Sequence, residues 1–330
     1  MFEIFRAHVG AATMATSRRT PLRAAPPASN PAPHSTTRGR HVMPTSLRFL
    51  GTAQDGGLPQ FGCRCARCQA ARLDPTRRRT AAAVLLTDDA TGYRLLIDPS
   101  PDLARQYDAL PPGSPSSICD AVAITHVHWG HWIGLGLFGR EVSAAQGLPV
   151  FATPAVHAFL REHQPARLAF ELGHLRAEEV PAGTTREAGP FALHAHAVVH
   201  RSEFADVVAW RVTASDRPRG GLLYCPDIDR WTDDVVALAT ACDVALVDAT
   251  FGSPDELPGR DLATIPHPLA RTTMAALAPA VAAGTRVGLI HLNHSNPLAD
   301  ADSDLRRDAL AQGFVVPADG DEWTWPAQHH

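Results

Sequence analysis

From Leu47 onward, short apolar runs alternate with amphipathic stretches. Aliphatic runs bounded by Gly, Pro, Asn or Asp read as strands, and apolar residues at helical spacing read as helices. Strands are expected over 47–50, 81–87, 93–97, 121–125, 149–152, 191–199, 206–212, 221–224, 244–247, 286–290 and 314–316. Helices are expected over 101–109, 132–146, 154–163, 232–241, 268–283 and 302–312. This alternation predicts an α/β layered architecture. No internal repeat or linker divides 46–326, so one domain is expected there, followed by a short tail at 327–330. Residues 1–45 are rich in Arg, Ser, Thr, Ala and Pro, as in PLRAAPPASNPAPHSTTRGR, and have nothing periodic to bury. They read as a disordered extension. A targeting segment is one reading, although no apolar run follows Arg18-Arg19. The preferred reading is an overlong start, with translation beginning at Met43.

Composition narrows the chemistry. The chain has 330 residues and its 30 basic side chains are all Arg. The absence of Lys excludes a phosphate-loop lysine, a Schiff-base lysine and a lysine general base. No stretch approaches the ~18 uninterrupted apolar residues of a membrane-spanning helix. The net charge of -4 divides into +5 over 1–45 and -9 over the rest, which argues against duplex nucleic acid as a partner. With no convincing signal or membrane segment, a cytoplasmic location is expected. The 17 His are the main compositional hint of function.

Two clusters carry metal-ligating potential. After the apolar run Ala121–Thr125 come His126, His128 and His131, then a Gly-rich apolar stretch. In an extended segment His126 and His128 point the same way, and His131 follows at a helix start. Neutral imidazoles converging at a strand end suit zinc or iron. The bland alternative is unrelated surface histidines. Separately, Cys63, Cys65 and Cys68 place three thiols within six residues. Such thiolates repel one another and oxidise unless a metal neutralises them, and they leave a tetrahedral zinc one ligand short.

These motifs resemble the metallo-β-lactamase superfamily, whose signature at this strand–helix junction is His-x-His-x-Asp-His. The resemblance runs from about Leu47 to about Glu322 and implies an αββα sandwich of two mixed sheets flanked by helices. It implies further stations at strand ends: Asp98, His200, Asp227 and His291. One metal would sit on His126, His128 and His200, and another on His131, His291 and the shared Asp227. The family's motif Asp is Gly130 here, which favours a single ion, or a redox-active iron, over a regular pair. His194 and His196 share the parity of His200 and are assigned to a sheet face.

GTAQDGGLPQFGCRCARC is similar to the start of two branches, the coenzyme PQQ synthesis protein B group and the cyclic phosphodiesterases of phosphonate breakdown. The latter implies a structural zinc on Cys63, Cys65, Cys68 and His294, one per chain. HLNHSNP also reads as an ordinary strand exit. LLIDPSPDLARQ, VDATF, PGRDLATIPHPL and IHLNHSNPL are more similar to the PQQ-protein-B group, in which this chain reads as a metal-competent cousin. His267 resembles a substrate-facing loop His of phosphodiesterase branches, able to donate a proton or hold negative charge; the alternative is a helix-start residue between two prolines. Asp229 is a guess at a stand-in carboxylate and otherwise a solvated turn acid.

The leading expectation is a metal-dependent hydrolase of a small, anionic substrate such as a phosphodiester, with zinc or iron in the active site as one or two ions. Asp227 would hold metal and His267 act as acid; Arg201 and Arg260 could receive the anion, although in a chain without Lys the preferred reading of each is a surface charge. The alternatives are an iron-dependent oxygenase linked to PQQ biosynthesis, implied by the resemblance, and a non-catalytic binding protein.

Overall fold

A computed structural model of the chain describes residues 45–115, 117–215, 217–257, 259 and 265–325. The expected extension, except Thr45, the proposed start at Met43, the tail at 327–330 and Arg260 lie outside these residues. Strands β1 (Thr45–Gly51), β2 (Ala83–Asp88), β3 (Arg94–Ile97), β4 (Ala121–Ala123), β5 (Leu148–Ala152), β6 (Leu175–Glu179) and β13 (Glu322–Trp325) form one sheet in the order β13-β1-β2-β3-β4-β5-β6. Strands β7 (Thr185–Ala188), β8 (Phe191–Ala197), β9 (Val208–Ala214), β10 (Arg217–Cys225), β11 (Val244–Asp248) and β12 (Arg286–Ile290) form the other, in the order β12-β11-β10-β9-β8-β7. Both sheets are mixed: β3 to β6 and β10 to β12 pair in parallel, and the remaining neighbours are antiparallel.

The near-continuous apolar character of the central strands follows from burial on both faces. In β3, Leu95 and Ile97 point between the sheets, where Phe49, Phe191, Trp210 and Trp325 also pack. Leu96 points the other way, into a layer with Leu103, Leu135, Val156 and Leu160. In β11, Leu246 joins the inter-sheet core, whereas Ala245 and Val247 pack with Val235, Met274 and Leu277. The outer layers are therefore α2 (Leu103–Asp108), α4 (Pro154–Glu162) and α5 (Ala166–Glu171) on one side, and α6 (Asp233–Thr240), α7 (Ala270–Ala282) and α8 (Asp304–Ala311) on the other. This is the αββα sandwich.

Some expected elements differ. The helix over 132–146 is a single turn, α3 (Trp129–Trp132), followed by 3-10 helix over Ile133–Phe138 and turns. Here Gly134 serves a close approach, since a Cβ on it would lie 2.3 Å from the Ser100 carbonyl oxygen. The run 314–316 is not a strand; Val315 forms only an isolated bridge with Gly288. The strand at 121 ends at Ala123, leaving Thr125 to His128 as an irregular rim. Strands β6, β7 and β13 and helices α1 (Ala66–Leu73) and α5 were not expected.

Strand direction positions the site. Within the first sheet β1, β3 and β4 run the same way, and within the second so do β8, β10, β11 and β12. The segments that follow their carboxyl ends carry the histidines and carboxylates of interest.

Candidate metal centres

Asp98 directly follows β3 in the left-handed region, with φ of 59°. That conformation costs a non-glycine residue roughly 1–2 kcal/mol, so the surroundings must hold it. Thr125 does so: its backbone N–H donates to Oδ1 and its hydroxyl to Oδ2, both at 2.8 Å. The second oxygen also meets His131 Nδ1 at 2.8 Å.

The same arrangement recurs around the rim. Thr125 Oγ1 lies 2.9 Å from His126 Nδ1, and Thr250 Oγ1 lies 2.9 Å from His291 Nδ1. Asp229 Oδ1 is 2.7 Å from His200 Nδ1, and Asp248 Oδ2 is 2.6 Å from His267 Nδ1. Each contact fixes a ring through Nδ1 and turns its Nε2 inward, the outer-shell pattern of metal-binding histidines. His128, which precedes α3, has its Nδ1 3.0 Å from His126 Nε2.

Asp227 is at the centre. Its Oδ2 is 3.1 Å from His131 Nε2 and 3.3 Å from His291 Nε2, and its Oδ1 is 3.5 Å from His200 Nε2 and 3.9 Å from His267 Nε2. Among the described residues, the Nε2 atoms of His131, His200 and His291 and Asp227 Oδ2 are buried without a hydrogen-bond partner. Buried polar atoms without partners are costly unless something binds them. Neutral imidazole nitrogens and a carboxylate are the donor set that zinc or iron takes. The residues therefore fit a metal, and ligand atoms of His126, His128 and His200, like those of His126, His131 and Asp227, lie within 4.8 Å of one another.

Electrostatics divide the pocket. Burial holds His126 well below the ordinary histidine range, brings His128 down to about 4 and lowers His200. Burial also acts to lower His131, but Asp227 and Asp98 outweigh it and raise that ring well above its usual value. At His267 burial is outweighed by Asp248, which takes the ring up to about 9. Burial works to raise Asp227, yet His291 and His131 hold it well below the carboxylate range.

The pocket brings together His126, His128, His131, His200, Asp227, His267 and His291. Asp229 is neither a stand-in ligand nor a free turn acid; it braces His200. His194 and His196 contact Thr185 and Asp234 outside the pocket. Arg201 flanks His128 and ion-pairs with Glu203 at 3.6 Å. Sequence reasoning missed Asp248 and Asp55. Asp55 Oδ1 lies 3.4 Å from His131 Nε2 and 3.6 Å from His291 Nε2, and a Cβ on Gly130 would come within 2.4 Å of it. A cavity of about 760 Å³ between α2 and the 133–149 segment is lined by residues such as Leu103, Ile118 and Phe138 and lies away from these groups.

The second cluster lies on the loop after β1. Cys63, Cys65 and Cys68 place their sulfurs 3.6, 3.7 and 3.5 Å from His294 Nδ1. Tetrahedral bonds of about 2.3 Å to sulfur and 2.05 Å to nitrogen separate N and S by about 3.6 Å, so the spacing suits zinc. Cys65 caps α1 and Cys68 lies in its first turn.

Comparisons with known proteins agree with this architecture. The model of the beta-lactamase superfamily domain matches residues 93–294. Coenzyme PQQ synthesis protein B of Cupriavidus necator is 30% identical over 315 residues, covering 84% of this chain and 99% of that protein. The protein of that name from Rhodopseudomonas palustris is 29% identical over 311 residues, covering 83% and 98%. Among solved structures, zinc-bound PqqB from Methylobacterium extorquens superimposes with a TM-score of 0.72 at 23% identity, covering 84% of this chain and 99% of that one. A diphosphatase of the PhnP family gives 0.63 at 20% identity, covering 86% and 98%.

Proposed function

Because this chain belongs to the beta-lactamase superfamily, with coenzyme PQQ synthesis protein B among its relatives, we propose that it is a metal-dependent hydrolase of a small anionic ester, with a phosphodiester as the preferred class. One observation carries the reading: buried, unpartnered His Nε2 and carboxylate atoms converge on one space, with the rings braced from behind. His126, His128 and His200 would hold one ion, and His131 and His291 a second, with Asp227 between them. Bound there, a divalent ion would supply a water of near-neutral pKa and a Lewis acid for the ester oxygen.

The chain's own groups supply the rest. Asp227 stays ionised against His131 and His291, so its charge is available without a proton to lose. His267, oriented by Asp248 at 2.6 Å and raised to about 9, carries a proton at neutral pH and can give it to a leaving oxygen. Arg201, partly exposed beside His128, offers a cation to an anionic substrate. The fold also carries a diphosphatase, which supports the phosphate-ester class. Relatedness to coenzyme PQQ synthesis protein B supports a place in or beside the synthesis of that cofactor.

The test is hydrolysis of bis-p-nitrophenyl phosphate and a panel of phosphodiesters, carboxylic esters and lactones by metal-replete protein. Turnover should vanish on chelation and return with added zinc or manganese. Silence across the panel, together with oxygen uptake by the iron-loaded protein, would overturn the hydrolase reading in favour of an oxygenase.

A further inference from the structure

We propose that Asp55 supplies the second metal position with the carboxylate missing from the histidine motif at Gly130. The two residues contend for one volume. An ideal Cβ on Gly130 would lie 2.4 Å from Asp55 Oδ1, 2.6 Å from its Cγ and 3.1 Å from its Cα. The carboxylate of Asp55 therefore occupies the space into which a side chain from position 130 would project. An acid from another segment of the chain thus stands where the family motif would place one on the helical turn.

The geometry around Asp55 Oδ1 is that of a ligand. It stands 3.4 Å from His131 Nε2 and 3.6 Å from His291 Nε2, both buried and, among the described residues, without hydrogen-bond partners. Asp227 Oδ2 approaches the same two nitrogens at 3.1 and 3.3 Å. Four donors on bonds of about 2.05 Å form a tetrahedron with edges of about 3.3 Å. The four carboxylate-to-imidazole separations fall around that value.

The backbone holds Asp55 in place. Ala53 forms a bridge with Leu292, and the Gln54 N–H donates to the Leu292 carbonyl at 3.0 Å. Gly57, at φ of 64°, returns its N–H to the Gln54 carbonyl at 2.8 Å and closes the turn. Asp55 is thereby pinned to the segment that carries His291. The ion would be held by Asp55, His131, His291 and Asp227, three of them from the inferred metal pocket and one from outside the motif.

This inference rests on the pocket holding metal, and the test separates the two claims by counting ions instead of turnover. Full-length protein is loaded with zinc and, in parallel, with manganese, then desalted and measured by elemental analysis and electron paramagnetic resonance. Wild type should retain two ions in the pocket beyond the zinc of the cysteine cluster, with a spin-coupled manganese pair. Asp55→Ala should retain one, with affinity for the second reduced by more than the roughly 10–100-fold typical of outer-shell losses. Asp55→Asn, which keeps the shape, should behave the same way and covers a folding defect in the alanine variant. The double variant D55G/G130D should regain the second ion and the coupled signal. Two pocket ions retained in both Asp55 variants, or a single pocket ion in wild type, would overturn the assignment. A wild-type pocket that took up no ion would overturn the metal reading itself.

Discussion

The cysteine cluster and the histidine pocket are both candidate metal centres, and they are built in opposite ways. Three of the four cysteine-cluster ligands fall between residues 63 and 68, and they range from exposed to buried. The pocket draws on residues from Asp55 to His291, and His126, His131, Asp227 and His291 are almost wholly buried. In the first, four donors close around one point, leaving no open position. In the second, Nε2 and carboxylate atoms face a shared space, and their orientation comes from Thr125, Asp98, Asp229, Asp248 and Thr250 behind them. The cysteine loop has only a small apolar cluster of its own, Leu58, Cys68 and Ala71, whereas the sandwich core would hold the pocket in place unaided. Stability should therefore depend on the first centre and chemistry on the second.

The largest expected effect is on that division. Cys65→Ala should lose the structural zinc and destabilise the chain by more than about 4 kcal/mol, seen in chemical denaturation. His128→Ala should do the reverse, lowering activity by at least about 10³-fold while the melting temperature and the zinc of the cysteine cluster are kept. If both variants removed the same metal equivalent and the same stability, the contrast would collapse.

Smaller effects sharpen it. His267→Gln should lower kcat by roughly 10²-fold for substrates with poor leaving groups, and far less for p-nitrophenolate, which leaves without a proton. Asp229→Asn should weaken metal binding by roughly 10–100-fold through loss of the brace on His200. Acid should then separate the two halves of the pocket. The His126, His128 and His200 rings are pushed down by burial, His128 to about 4, so they stay neutral and ligand-ready as pH falls through the ordinary histidine range. At His131 burial is outweighed by Asp227 and Asp98 and the ring is raised, so an ion there must displace a proton even at neutral pH. One ion should leave first and the other only below about pH 5, followed by dialysis and elemental analysis.

Legibility in the sequence follows the same contrast. The layered α/β order was readable because strands buried on both faces spell out apolar runs, as in LLI at 95–97 and VALV at 244–247. His200, Asp227 and His291 stood out because each closes such a run. Strands β6 and β7 did not, since LRAEE and TREA have one polar face or exposed positions and lack that signature. The helix expected over 132–146 ends early where Gly134 serves a close approach to the Pro99–Ser100 backbone. Asp55 was hidden for a further reason: no spacing rule links a Gly-rich turn after β1 to a glycine seventy-five residues later. The available signal was a gap at 130 alongside an unexplained acid in AQDGG.

The two centres share one short stretch of chain, His291-Leu-Asn-His294, whose first residue turns into the pocket and whose last meets the three cysteines. Leu292 between them is tied on both sides, its N–H to Thr52 and its carbonyl to the Gln54 N–H. This stretch is a ruler of fixed length. Inserting or deleting a single residue there would pull one histidine from its centre, so natural variation at these positions is expected to proceed by exchange of side chains and never by change of length.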